Sequence, residues 1–199
     1  MNSYHQSSRA ADPTTLLNPT QAAPSSNITN LEFLQMIAGP ALRSQEKYRI
    51  PAAVIMAQAA LESSWGKSRL FLDAKNPFGI KIKARKLVTG NDVYRRQTTE
   101  YVNGKAERVY QNFAKYESFD AAFEAHGELL SQQRYSLFRR ATNLREACDA
   151  LLNCGYATDP DYGKKLHQII ITQSLDDPAR VREFAGLGTW DSGLAKENE

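Results

Sequence analysis

Between residues 30 and 177 the hydrophobic positions recur mostly at helical spacing, and caps and breakers cut them into runs. Asn30 can cap a helix through "LEFLQMIAGPALRSQEKY", with Pro40 expected to kink or interrupt it. Pro51 suits the first turn of a second helix. Ser118 can cap "FDAAFEAHGELLSQQ". Asn143 and Glu146 have capping-box spacing before "ACDALLNC", which Gly155 stops. Asp159 and Pro160 open a last helix, "DYGKKLHQIIITQSL". One segment has a different period. "VYRRQTTEYVNGKAERVYQNF" places two β-prone runs around Asn103-Gly104, a type I′ hairpin signal. With those two residues as the loop, Val102 pairs with Lys105, Tyr101 with Ala106 and Glu100 with Glu107. Two carboxylates opposite one another cost a few tenths of a kcal/mol, roughly, which is tolerable on a wet face. The pattern predicts an α+β chain, mainly helical, with one hairpin.

The second helix carries the candidate chemistry. In "AAVIMAQAALESSWGKS", residues 52 to 68, Gln58 is the one polar side chain before Glu62. At 100° per residue, Ile55, Gln58, Ala59, Glu62, Trp65 and Gly66 form one stripe. The opposite face, Ala53, Met56, Ala57 and Ala60, is apolar too, so this helix is expected to be central. A carboxylate at its C-terminal end is disfavoured twice, by burial and by the negative end of the helix dipole. Both raise its pKa. A carboxyl that keeps its proton near neutral pH is what a general acid for glycosidic cleavage requires. A Glu paired with Lys67 or Arg69, or turned to solvent, gives the same spacing. Spacing alone leaves both roles open.

Composition narrows the class. The chain has 199 residues, 42% of them hydrophobic, which fits one domain with ragged ends. Residues 1–29, rich in Ser, Thr, Asn and Pro, read as a disordered leader without the apolar core of a Sec signal. Residues 30–177 read as the domain and 178–199 as a loose C-terminal extension. A net charge of +3, from 25 basic and 22 acidic residues, is too balanced to imply nucleic acid. No apolar run approaches a membrane span, so no membrane insertion is expected. Cys148 and Cys154 form neither a disulfide framework nor a ligand set. His5, His126 and His167 are scattered, without metal-ligand spacing, and the last two read as structural or solvated.

Four stretches in register add a resemblance: "AQAALESSWGKS", "NPFGIK" at 76–81, "TTEYVNG" at 98–104 and "GYATDPDYGKKL" at 155–166. Together they resemble the glucosaminidases of glycoside hydrolase family 73, the flagellar peptidoglycan hydrolase domain most of all. The likeness runs over roughly residues 31 to 175. It implies a lysozyme-like fold, with a small β-hairpin lobe beside a catalytic cleft. It also implies hydrolysis of the β-1,4 bond following N-acetylglucosamine in peptidoglycan glycan strands; with no ligand cluster in the sequence, no metal and no cofactor are expected. By match to the family's motifs, Glu62 is the general acid, Glu100 the second carboxylate and Tyr156 a site tyrosine. Asn76 and Phe78 are candidates for the sugar subsites, with a turn and a packed Phe as the equal alternative; Trp65 and Tyr162 are candidates as well, although such residues more often pack than bind sugar. Because the substrate lies outside the cytoplasm and no Sec signal is seen, the expected place of action is the periplasm or cell wall, reached by a non-Sec route. A secreted antibacterial toxin, with an immunity protein occluding the cleft, is the favoured setting. The rivals are a lytic transglycosylase, a phage lysis enzyme, and a non-catalytic peptidoglycan-binding or flagellar assembly module.

Overall fold

The structure is a computed structural model. It describes residues 27–82, 93–102 and 105–188, and within the strands the side chains of 93–98 and 108–114. The leader expected over 1–29 lies outside the described residues except at its end. There Ile28 is buried and Thr29 starts the first helix. That helix, α1, runs Asn30–Tyr48. Its cap is Thr29 and not Asn30: Thr29 accepts from Glu32 N, and the Glu32 carboxylate reaches back to Thr29 N. Pro40 does not interrupt it. Pro40 is itself buried, and packing offsets the one backbone donor it removes.

Helix α2, Ala52–Glu62, is the centre of the body. Every residue from Ala52 to Ala60 is buried, and α1 and two later helices close round it. Its alanines are what let three neighbours approach. Beyond Ser118, which caps as expected, α4 spans Phe119–Leu130. A 3₁₀ turn at Gln133–Tyr135 and a short α5, Ser136–Arg139, follow. In α6, Leu144–Asn153, the Asn143 side chain accepts from Glu146 N, while the Glu146 carboxylate takes the backbone and hydroxyl of Thr142. The next helix, α7, starts at Tyr162 and runs to Thr172, with Asp161 as N-cap in place of Asp159. Helices α6 and α7 touch closely at Gly163, where an added Cβ would lie 2.4 Å from Asp149 Oδ1. The C-terminal stretch is not loose over its first part. Helix α8, Pro178–Phe184, is capped by Asp177 and buries Val181 and Phe184 against α1. Its apolar positions are too few for periodicity to reveal.

The lobe is a two-stranded antiparallel sheet, β1 Val93–Val102 and β2 Lys105–Ala114. Its register pairs Val102 with Lys105, Tyr101 with Ala106 and Glu100 with Glu107, as the two-residue loop requires. The loop residues themselves lie outside the described residues. An isolated two-stranded ribbon is marginal in water, so its base must be held. The holding element is α3, Arg69–Ala74, a short helix that periodicity misses. Tyr94 Oη donates to Asp73 Oδ2 at 2.9 Å, and Tyr94 packs with Leu70, Ala74 and Phe113. Asn76 completes the joint. Only 1% exposed, it donates from Nδ2 to Ile80 O and Ala114 O and accepts from Ile80 N. Lys81 pairs with Phe113 as an isolated bridge beside it.

Replacing Asn76 with Ala orphans the Ile80 N–H and the Ala114 carbonyl inside the protein. At about 1–3 kcal/mol for each buried unsatisfied group, the expected loss is about 2–6 kcal/mol by urea denaturation. An Asn76→Ala protein as stable as the parent would show that the hairpin base is held elsewhere.

Candidate active site

Glu62 is the last residue of α2, and the chain turns sharply after it. Trp65 N bonds Ala60 O at 2.8 Å and Ser64 N bonds Leu61 O at 3.4 Å, a Schellman closure with Ser64 in the left-handed position glycine usually takes. Trp65 and Gly66 are left-handed as well, with φ of 58° and 76°. The helical stripe expected to continue through Trp65 and Gly66 therefore ends at Glu62. Ser63 fastens the turn from inside. Its hydroxyl donates to Ala59 O at 2.6 Å and accepts from Gly66 N at 2.8 Å. Gly66 has no room for more than hydrogen, since a Cβ would stand 2.7 Å from the Phe33 ring.

Solvent reaches Glu62, and by surface area alone the residue is exposed. The protein packed around its carboxyl nevertheless raises its pKa above the usual carboxylate value. Burial is the main cause; the hydrogen bond from Tyr162 acts in the opposite sense. The density of surrounding protein, not the accessible area, governs the charge here. Tyr162, on α7, donates from Oη to Glu62 Oε1 at 2.8 Å. Gln58, one turn before Glu62 on α2, donates from Nε2 to Tyr162 Oη at 3.2 Å. Arg69, an alternative partner for Glu62 by spacing, instead pairs with Asp73 at 3.0 Å.

An aromatic series continues from Tyr162. Its ring lies 5.7 Å from that of Tyr156, in the turn after α6. Tyr156 Oη is 3.3 Å from His126 Nε2, and His126 stacks on Phe78 at 3.7 Å with the planes 8° apart. Burial, then the nearby Glu62 and Tyr135, push the Tyr156 hydroxyl well above its ordinary pKa. Burial also raises Tyr162. Both phenols therefore remain protonated donors. His126, fully buried on α4, is driven down to about 3 by desolvation and is neutral.

The residues singled out from sequence thus divide. Glu62, Tyr156 and Tyr162 come together. Phe78 joins them through His126, but as a buried packing ring. Asn76 spends its amide on the hairpin base. Trp65 sets its ring edge-on to Phe33, at 5.9 Å. Glu100 stands on β1 opposite Glu107; its side chain lies outside the described residues. Gln58 and His126 are the additions. Each is a polar residue on an otherwise apolar helix face, which is the signal by which sequence could have found them. Grooves of about 720 Å³ and about 530 Å³, lined from α1 and α8 and from α5 and α6, contain none of these residues. Among the described residues no cluster of His, Cys, Asp and Glu is arranged to hold a metal.

A helix-end carboxyl with a raised pKa, set in a helical body with a two-stranded lobe, is the plan of a lysozyme-like glycoside hydrolase. The fold comparison agrees: a C-terminally truncated glycoside hydrolase domain from Salmonella typhimurium FlgJ superposes with a TM-score of 0.61 at 34% identity, covering 73% of this chain and 98% of that one. The chain belongs to the glucosaminidase family, described as mannosyl-glycoprotein endo-beta-N-acetylglucosaminidase, whose model matches residues 38–175. It is 34% identical over 151 residues to the exo-glucosaminidase LytG of Bacillus subtilis, across 73% of this chain and 52% of that protein. It is 36% identical over 144 residues to the peptidoglycan hydrolase FlgJ of Salmonella typhimurium, across 70% and 45%. The chain spans about half the length of these two relatives.

His126 gives the site a pH signature. Its folded pKa lies below its unfolded one, so the unfolded chain binds the extra proton. Stability is then fully present above about pH 6.5 and is lost as pH falls toward 3. The raised Glu62 acts the other way, so the comparison must be between variants. Thermal melts of parent and His126→Gln between pH 6.5 and 5 are expected to differ in slope, with the parent steeper. Parallel slopes would mean that His126 takes up a proton as readily in the fold as in the unfolded chain.

Proposed function

We propose that this chain is a peptidoglycan hydrolase that cleaves the β-1,4 bond between N-acetylglucosamine and N-acetylmuramic acid, with Glu62 as general acid. The observation that carries the reading is the Glu62 carboxyl, reachable by solvent, raised in pKa by its surroundings and held by Tyr162. In the proposed step the Glu62 proton passes to the glycosidic oxygen as its bond to C1 breaks, and positive charge develops on the sugar ring. Water then adds its oxygen to C1 and gives up a proton. Glu100 is the proposed acceptor of that proton, and the substrate's own N-acetyl group is the alternative assistant at C1. Strand periodicity puts position 100 on the sheet face that Tyr94 occupies, the face that meets the helical body at α3. The names of LytG and FlgJ support the substrate class. We place the action in the periplasm or cell wall, because the proposed substrate is there. Delivery as an antibacterial toxin, countered by an immunity protein over the acid, is the finer form of the proposal.

Glu62→Gln keeps the shape of the side chain and removes its proton. General acid assistance is worth about 10²- to 10⁴-fold, so turnover on purified peptidoglycan is expected to fall by that order with the melting temperature little changed. Mass spectrometry of the muropeptides identifies the bond: reducing N-acetylglucosamine ends fit the proposal, whereas muramic or 1,6-anhydro ends replace it with a muramidase or a lytic transglycosylase. In cells, a Sec-fused chain should lyse the host, and the cytoplasmic chain and the Sec-fused Glu62→Gln chain should not. Equal killing by both Sec-fused forms would refute wall hydrolysis as the cause.

The hairpin gives a paired control. Glu100→Gln should lower turnover, while Glu107→Gln, its cross-strand partner, should be nearly silent. The reverse pattern would move the second carboxylate to position 107.

A further inference from the structure

We infer that Gln58 is a positioning residue for the acid: it turns the Tyr162 hydroxyl onto Glu62 Oε1, and so leaves the acid proton on Oε2, free for the substrate. The inference rests on the hydrolase reading of Glu62. Its basis is a relay of two hydrogen bonds, Gln58 Nε2 to Tyr162 Oη at 3.2 Å and Tyr162 Oη to Glu62 Oε1 at 2.8 Å. Gln58 is fully buried and Tyr162 is 4% exposed, so the first bond is shut off from bulk solvent and the second is shielded on its donor side. Gln58 and Glu62 are one turn apart on α2, and Tyr162 comes from α7, which packs on α2. Rigid helix packing thus fixes the spacing of all three.

The direction of the relay follows from donor counts. A phenol has one proton to give, and its oxygen can also accept. With the Gln58 carbonyl turned inward, that single proton would be contested by an amide oxygen and a carboxyl oxygen. With the Gln58 amino group inward, the Tyr162 oxygen is filled as an acceptor, and its proton has one destination. A carboxylate is the stronger acceptor, so this is also the favoured arrangement. Once Tyr162 donates to Oε1, the proton of neutral Glu62 belongs on Oε2. Among the described residues, Glu62 is faced by Tyr162 from α7 and by Tyr156 from the turn after α6, with Tyr135 behind it. Burial keeps both facing phenols protonated, so the acid's own titration is the one the relay modulates.

The amide is also a liability that packing does not explain. Gln58 Oε1 is buried without a hydrogen-bond partner among the described residues. An apolar side chain of similar length would fill the same space and orphan nothing. A donor at position 58 costs stability and is accounted for by what it donates to.

Three proteins test this: Gln58→Met, Tyr162→Phe and the double variant. Gln58→Met should melt at or above the parent temperature, yet lose kcat by roughly tenfold with KM unchanged, as expected when one oriented interaction at the acid is removed. The basic limb of its pH–rate profile should move to higher pH, because ionised Glu62 loses an oriented donor. Tyr162→Phe should shift the limb in the same direction. The double variant should be no slower than Tyr162→Phe alone, because Gln58 acts through Tyr162. A ¹³C-carboxyl NMR titration of Glu62, made without substrate, should show the same upward movement in Gln58→Met. Equal fold-losses for Gln58→Met in the parent and in the Tyr162→Phe background would overturn the inference, and so would an unmoved Glu62 titration. The titration needs no turnover, so it judges the relay even where a fully active Glu62→Gln enzyme has removed the hydrolase reading.

Discussion

The structure depends on one constraint, the burial of α2 from every side. Its five alanines let neighbours come close while Val54, Ile55 and Met56 fill the space between, and α1, α6 and α7 close on it. Its polar ends cannot stay in the core, so the last turn must emerge. Glu62 stands at that point of emergence. It is close enough to the core to be desolvated, and far enough out for solvent to reach it. The left-handed turn that follows matters for the same reason. Had the helix continued, the next turn would have covered the acid. Instead Ser64, Trp65 and Gly66 fold the chain back over Ala60, and Trp65 is spent on Phe33. Non-glycine residues in that conformation carry strain of about 1 kcal/mol or more each, and the Ser63 hydroxyl and the packed Trp65 ring offset it.

Much of this was legible in the sequence because local chemistry decided it. Ser118 and Asn143 cap the helices their side chains can reach, and Asn-Gly sets a hairpin whose register is then arithmetic. The all-round apolar run of α2 declared its own burial. What was not legible lay in tertiary partnership. Helices α3 and α8 are too short for periodicity, and each exists because its few apolar residues meet another element. Asn76 looks like a sugar ligand in "NPFGIK", since a loop amide is what a sugar site uses. Only the placement of Ile80 and Ala114 beside it shows that its bonds are taken. By sequence Tyr162 suits packing or sugar contact, and its bond to Glu62 bridges residues 100 positions apart, which no spacing rule spans.

One short loop connects the two halves of the molecule. From its first turn Asn76 grips the hairpin base, and two residues later Phe78 stacks on His126, which touches Tyr156, whose ring meets Tyr162. The attachment of the lobe and the surroundings of the acid are thus built from the same segment. The series is also chemically graded. It runs from an apolar ring through a neutral imidazole to two phenols and then to the carboxyl. The phenols keep their own protons and the imidazole, pushed down to about 3, stays neutral, so none competes for the acid's proton.

That asymmetry of attachment bears on how two carboxyl groups could share one reaction. Glu62 is fixed by a helix end, a closed turn and a relay from two helices. Position 100 lies six residues along β1 from Tyr94, about 20 Å at strand rise. Ties between lobe and body at Tyr94, Asn112, Phe113 and Ala114 lie toward the ribbon's base. A rigid acid is what proton donation demands, because the glycosidic oxygen must meet one oxygen atom in one direction. Activation of water is less exacting, since the water can reorient to bridge a range of separations. If Glu100 takes that part, its place on a ribbon anchored at one end suits it: the lobe positions the second carboxylate over a bound strand, while the first holds the reference geometry. The proposed division of labour would follow from which element each residue sits on, a packed helix for Glu62 and a two-stranded ribbon for Glu100.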